Sequence, residues 1–327
     1  MIRIGLRRVA ALGIAVLTSC GALNAAAQSY PNRPVTIVMP LSPGGGADSM
    51  TRVLAQGLTE ELKQSFLVEN KPGANGNIGN VSVARAAPDG YTLLSAYSGI
   101  QVTNPSLYAK PGWDPIKDFA PVALMGRAPH VVVARKDLPV NNLTELVAYA
   151  TANPNKLTFA STGIGSLSQI GGEQLMQATK IKMTHVPYRG AGPSMNDLVA
   201  GMVDISIVTP ASAMGNLSAG NIKALGLMAA RRHPMLPDVS TVQEQGLPLI
   251  DLTTWFALFA PAGTPDAVIQ TLAAKVEKIV ASPAYKARIQ DQGSYAEFLG
   301  PKELGELTAR DLAYWRPIIE AAGIRVE

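Results

Sequence analysis

The stretch Val35-Thr36-Ile37-Val38-Met39-Pro40-Leu41-Ser42-Pro43-Gly44-Gly45-Gly46-Ala47-Asp48 decides the fold. Residues 35–39 are a short, almost wholly apolar run of the kind that makes a buried strand. A glycine-rich loop follows over residues 40–47, and a helix is predicted from about residue 49 to 63, with Asp48 placed to cap it. Strand, glycine loop and helix in that order form the unit from which open α/β sheets are built. Glycines leave backbone N–H groups uncovered, and a helix start adds unpaired donors and a positive dipole end. Such a loop seats a carboxylate or phosphate, or is a plain turn; alone it does not distinguish the two.

Outward from there the pattern continues. Residues 66–69 and 91–96 read as strands, separated by a glycine loop at 70–77, a short helix at 78–86 and the turn Pro88-Asp89-Gly90. A second set follows, with two strands at 122–126 and 131–135, a helix at 143–151, a strand at 157–161 and a helix at 167–178. Further strands are expected at 183–186, 204–208, 223–228 and 255–260. The C-terminus reads as helical. Thr264 is the expected N-cap with Pro265 at the first helical position, and a last helix is expected to kink near Pro317. There are thus two similar sets of elements, each large enough for its own sheet.

The N-terminus is a different kind of text. Arg3, Arg7 and Arg8 precede an apolar run at 9–17, and Ala25-Ala26-Ala27 offers an A-x-A cleavage site. This is the pattern of a secretory signal peptide over residues 1–27, and its apolar run is shorter than the roughly 20 residues that span a bilayer. Leu17-Thr18-Ser19-Cys20 also resembles a lipobox, so lipid anchoring at Cys20 is the second reading of the same segment. The whole chain of 327 residues carries a formal charge of +4, with 28 basic and 24 acidic residues. All three arginines of the export segment leave with it, so the mature chain is nearly neutral and offers no nucleic-acid surface. Cys20 is the single cysteine, so no disulfide framework is expected.

A second loop, Ser161-Thr162-Gly163-Ile164-Gly165-Ser166, repeats the physics of the first, with three hydroxyls and two glycines between a strand and a helix. Neither loop carries the dinucleotide fingerprint or the lysine of a phosphate loop. Two anion-friendly loops, one in each half, can hold one small acid between them, with Ser42, Gly45, Gly46 and Asp48 on one side and Ser161, Thr162, Gly163, Gly165 and Ser166 on the other. Tyr97 and Ser98 stand at the carboxyl end of a strand, where open sheets bind ligands. The segment His185-Val186-Pro187-Tyr188-Arg189-Gly190 ends in another strand-to-helix turn, with Tyr188 as a candidate cleft wall and Arg189 as either a carboxylate partner or a surface charge. The three histidines, His130, His185 and His233, have no metal-ligand spacing, and no G-x-S-x-G elbow is present. No metal and no cofactor are expected.

These segments together resemble the Bug, or TctC-like, receptors of tripartite tricarboxylate transporters. The resemblance is carried by Tyr30-Pro31-Asn32-Arg33-Pro34-Val35, Pro43-Gly44-Gly45 with Asp48 and Arg52, Val68-Glu69-Asn70-Lys71-Pro72-Gly73, Pro88-Asp89-Gly90-Tyr91, Asp118-Phe119-Ala120-Pro121, His185-Val186-Pro187-Tyr188-Arg189-Gly190, Leu236-Pro237-Asp238 and Ala260-Pro261-Ala262-Gly263-Thr264-Pro265. It spans essentially the whole mature chain. It implies a type II periplasmic-binding-protein fold, in which two α/β lobes joined by two crossovers close around a ligand cleft. Lobe 1 would be residues 28–128 plus 252–327, and lobe 2 residues 129–251. The resemblance also implies a periplasmic, monomeric, non-catalytic protein that captures a small carboxylate for the membrane subunits of a tripartite transporter. Tyr188 and Asp204 occupy the later cleft-side motifs on that analogy. Gln169 stands where many relatives have His, and Ala200-Gly201 replaces the commoner Gly-Gly before Val203-Asp204. A sensor component with the same binding chemistry, and a secreted hydrolase or lyase using Ser161, Ser166 or Asp48, are the alternatives.

Overall fold

A computed structural model of the chain describes residues 30–44, 46–188 and 190–326. The expected signal segment 1–27 with Cys20, Gly45 of the first loop, and Arg189 lie outside the described residues.

The sheet begins with β1 (Val35–Met39), flanked in parallel by β2 (Phe66–Asn70) and β3 (Thr92–Tyr97). Val35, Ile37, Val38 and Met39 are all fully buried, which is why the run is apolar rather than alternating. Helix α1 (Gly46–Leu62) connects β1 to β2, and α2 (Asn77–Ala84) connects β2 to β3. After β3 come two short helices, α3 (Ser98–Gln101) and α4 (Asn104–Leu107). No helical periodicity marks pieces this short, and the sequence had not indicated them.

The expected strands at 122–126 and 131–135 are one 17-residue strand, β4 (Phe119–Arg135). Pro129 lies inside it without breaking it. The second half holds α5 (Leu143–Ala152), β5 (Thr158–Ser161), α6 (Leu167–Thr179), β6 (Thr184–Pro187), α7 (Ala191–Val199), β7 (Ile205–Val208), α8 (Pro210–Ser218) and β8 (Ile222–Met228). The chain returns through β9 (Thr253–Pro261) and ends in α9 (Asp266–Ala281), α10 (Pro283–Gln290) and α11 (Pro301–Ala321). Helix α9 starts one residue later than expected. Its N-cap is Pro265, and the Thr264 hydroxyl donates backwards to the Pro261 carbonyl instead. Pro317 is accommodated inside α11. Among the described residues, no helix is long and apolar enough to cross a membrane.

Strand order is β2-β1-β3-β9-β4-β7-β5-β6, with β8 also paired to β4. Residues 119–129 of β4 run antiparallel to β9, whereas residues 130–135 run antiparallel to β7 and β8. One strand therefore belongs to both halves of the sheet. The changeover falls at His130, which is 4% exposed. Its backbone N–H donates to the Leu252 carbonyl at 3.2 Å, and its ring Nδ1 lies 2.8 Å from the same oxygen. A carbonyl can only accept, so Nδ1 carries the proton. Leu252 N–H in turn donates to Met228 O, so the two chain crossings are tied at this point.

Burial pushes the His130 pKa down to about 4, against an opposing push from the Leu252 hydrogen bond. The folded state thus binds its proton later than the unfolded state does. His130 costs nothing above pH 6.5 and withdraws stability as pH falls from there toward 4, by about 3 kcal/mol in all. Urea unfolding at pH 7 and pH 4.5 should show this loss, and His130→Gln should make the stability less steep with pH over the same interval.

Candidate functional site

Because β1, β2 and β3 are parallel, the chain leaves all three at one edge. The same holds for β5, β6 and β7 in the second half. Ligands of open α/β sheets collect at such carboxyl edges. The two edges are close together. A Cβ built on Gly165, in the loop after β5, would lie 2.8 Å from Leu107 of α4 and 3.4 Å from Val326. Gly293, after α10, leaves no room for a Cβ against the backbone of Pro210 and Ala211 at the start of α8.

In the first loop Ser42, Gly44 and Gly46 are exposed, and a Cβ on Gly44 or Gly46 would meet nothing within 4 Å. The start of the 17-residue helix α1 is thus open to a guest. Asp48 differs from the expectation. The helix begins two residues before it, and its carboxylate is 4% exposed and already saturated. It accepts from Gly44 N–H (3.0 Å), Arg52 Nε (3.0 Å), Arg52 Nη2 (3.1 Å) and Asn70 Nδ2 (2.9 Å). Burial alone would raise its pKa. The bonds from Arg52, Asn70 and Gly44, with the Arg52 charge, outweigh burial and hold the carboxyl below its ordinary value. Asn70 also donates to Leu41 O at 2.9 Å. Asp48 therefore shapes the loop from beneath and is not a free contact for a guest.

The second loop is bonded largely to itself. Ser166 caps α6, its hydroxyl oxygen receiving Gln169 N–H at 3.3 Å, and its O–H donates to Gly163 O at 2.6 Å. Ser168 Oγ receives Thr162 N–H at 2.9 Å and lies 2.9 Å from Ser166 Oγ and 3.0 Å from Thr162 Oγ1. Since the Ser166 hydrogen is committed to Gly163 O, Ser168 must donate to Ser166 and Thr162 to Ser168. Thr162 is half-buried, and its hydrogen rests on an acceptor that already has another donor. It can turn to a guest without leaving a buried group unpaired. Gly165 N–H is taken by Gln169 Oε1 at 2.8 Å.

Ser161 is fully buried. Its Oγ lies 2.7 Å from His185 Nε2 and 3.1 Å from Gly163 O, and receives Gly163 N–H at 3.2 Å. His185 stacks on Phe159 with ring centroids 4.8 Å apart, and burial pushes its pKa down. Tyr188 is half-buried, with its hydroxyl donated to Asp197 at 2.7 Å. Burial and the Asp197 bond push its pKa up to about 12. Tyr97 closes β3 against Phe256 (5.9 Å), and Ser98 Oγ accepts Trp255 N–H at 3.1 Å. Trp255 is fully buried with its indole N–H on Asp311 at 2.8 Å.

Asp204 needs correction. It precedes β7, whose parallel register with β5 places it beside Thr158 at the amino end of the strands, away from Ser161 at the carboxyl end. Its carboxylate receives Arg135 Nε (2.9 Å), Thr158 N–H (2.8 Å) and Thr158 Oγ1 (3.0 Å). It locks β4 to β5 and faces no cleft. Conversely, Asn70, Ser168 and the Ser161–His185 contact went unread. Each depends on a partner brought in by the sheet or the helix turn, and no spacing in the sequence records it.

The family profile described as "Tripartite tricarboxylate transporter family receptor" matches residues 50–324. The chain is 36% identical over 318 residues (97% of this chain, 94% of the relative) to the "UPF0065 protein in tcbD-tcbE intergenic region" of Pseudomonas sp. (strain P51). Among solved structures it is similar to R. palustris Rpa4515 with adipate, at TM-score 0.82 and 32% identity, covering 90% of this chain and 99% of that one. It is also similar to the periplasmic binding protein BugD, at TM-score 0.78 and 34% identity, covering 91% and 100%. The two-lobed α/β architecture is that of these binding proteins. With a family match across most of its length, the chain belongs to the tripartite tricarboxylate transporter receptors, the solute-binding proteins of those transporters.

Proposed function

We propose that the chain captures a small dicarboxylate in the periplasm, holds it between the loop before α1 and the loop before α6, and passes it unchanged, as a monomer, to the membrane subunits of a tripartite transporter. The observation that carries this is the pair of loops at the carboxyl edges of two parallel strand sets, with the helix start at Gly46 open and Thr162 free to redirect its hydroxyl. Adipate in the Rpa4515 structure supports the ligand class. A carboxylate enters a desolvated cleft only if several donors meet it. Helix-start N–H groups and hydroxyls supply dipoles for that purpose. Lobe 1 is residues 28–128 plus 252–327 and lobe 2 residues 129–251. Residues 1–27 are the export signal, and the lobes close by bending at the two crossings near His130 and Leu252.

Among the described residues the Ser161–His185 contact is the arrangement that favours a hydrolase, and its burial argues against one. Gly163 O already receives the Ser166 hydroxyl at 2.6 Å, and Ser161 Oγ stands 2.7 Å from His185 Nε2 with no exposed surface of its own. A hydroxyl buried in this way is not presented to a substrate in a cleft, as a nucleophile must be. The pair is a brace between β5 and β6.

Thermal unfolding with a panel of succinate, malate, adipate, citrate and neutral sugars tests the reading. An acid at ~100 times its Kd should stabilise by about 2.7 kcal/mol, and mass analysis should recover it unaltered. Stabilisation by sugars alone would overturn the carboxylate assignment. Ser161→Ala should cost about 1–3 kcal/mol by leaving Gly163 N–H and His185 Nε2 without their partner, measured by urea unfolding. A fluorophosphonate probe should leave Ser161 unlabelled in the wild-type protein.

A further inference from the structure

A buried carboxylate directly beneath an anion seat is electrostatically the wrong charge in the wrong place. Asp48 lies in the first turn of α1, two residues beyond the exposed Gly46, so its charge stands within about a helical turn of any anion held at the helix start. What the loop gains from it is an acceptor: Asp48 takes the Gly44 N–H and so sets the backbone that presents the exposed glycines. A neutral acceptor would give that shape without opposing the guest. The structure instead places a guanidinium flat against the acid, with Nε on Oδ2 at 3.0 Å and Nη2 on Oδ1 at 3.1 Å. Arg52 Nη2 also donates to Asn70 Oδ1 at 2.8 Å, and Asn70 Nδ2 returns to Asp48 and to Leu41 O. The ion pair is thereby fixed to β2 and to the beginning of the loop. The Arg52 side chain is 49% exposed and that of Asp48 5%, so the cation is on the outer side and the acid beneath it.

We propose that Arg52 is a positioning residue for ligand binding: by cancelling the charge of Asp48 through this two-pronged contact, it lets an acidic side chain shape the loop while the start of α1 remains attractive to a carboxylate. The inference rests on the dicarboxylate reading above. It assigns Arg52 no contact with the ligand.

Four proteins separate charge cancellation from simple bracing: Arg52→Gln, Arg52→Lys, Asp48→Asn and the double variant Asp48→Asn/Arg52→Gln. Each is titrated calorimetrically with adipate, and with whichever panel acid stabilises the wild type most, at low and moderate salt. Melting curves report folding. Arg52→Gln leaves the acid uncompensated and should weaken carboxylate binding about tenfold, more at low salt than at high. Arg52→Lys keeps the charge but loses the fork and should stay within about threefold of wild type. The double variant removes both charges and should recover most of the tenfold loss, although it has lost more hydrogen bonds than either single variant. A double variant as weak as Arg52→Gln, or weaker, would show bracing or direct ligand contact and overturn the proposal, as would unchanged affinity in a folded Arg52→Gln. A wild-type protein that binds none of the acids overturns the dicarboxylate reading first, and this one with it.

Discussion

The antiparallel pairing that β4 makes from end to end, first with β9 and then with β7 and β8, is what the rest of the molecule depends on. Its first eleven residues are hydrogen-bonded to β9, and its last six to β7 and β8. Buried backbone N–H and C=O groups cannot be left unpaired without a cost comparable to a lost hydrogen bond each, so the two halves cannot slide past one another. They can only bend where one set of partners gives way to the other. That place is marked by a neutral histidine whose ring and backbone both hold the returning chain at Leu252. This short length of shared strand and the returning chain tied to it join the two halves that carry the loops.

The loops themselves show how a protein keeps a polar cleft ready without paying for unmet hydrogen bonds. Asp48, Arg52 and Asn70 occupy the inner side of the first loop, and Ser166, Ser168 and Gln169 the inner side of the second. Among the described residues of the two loops, the helix start at Gly46 lies open and the Thr162 hydroxyl shares an acceptor it can leave. Binding then swaps one set of bonds for another, so the net gain per bond is modest and selectivity comes from geometry. The Ser161–His185 contact belongs to the same inner framework. Taken by residue type it looks like catalytic machinery; taken by the complete burial of Ser161 it is a strut between β5 and β6.

Much of this could be read from the residues alone because the signals are local. A buried strand, glycine loop and helix over residues 35–62 declare themselves by apolar run, loop composition and capping chemistry, and the same grammar repeats at 158–179. The seam between 122–126 and 131–135 misled because Gly126 and Pro129 are turn formers by composition. In the sheet they sit within the stretch paired to β9, where register shifts absorb the irregularity. Asp204 was misplaced because sequence reports which strand a residue flanks and not which end of that strand faces the cleft. Asp48 was found, but its role was not. The donors that occupy it come from positions 44, 52 and 70, and only the folded sheet assembles those three.

One close approach has a mechanical meaning. Gly293 presses so tightly on the backbone of Pro210 and Ala211 that even a methyl group has no space there. Backbone meeting backbone makes a hard stop, unlike the yielding contact of two flexible side chains. At this contact the two halves of the molecule cannot come closer than main chain allows. A guest too bulky for that gap would hold the stop apart, and the rest position would serve as a gauge of size as well as a limit of travel.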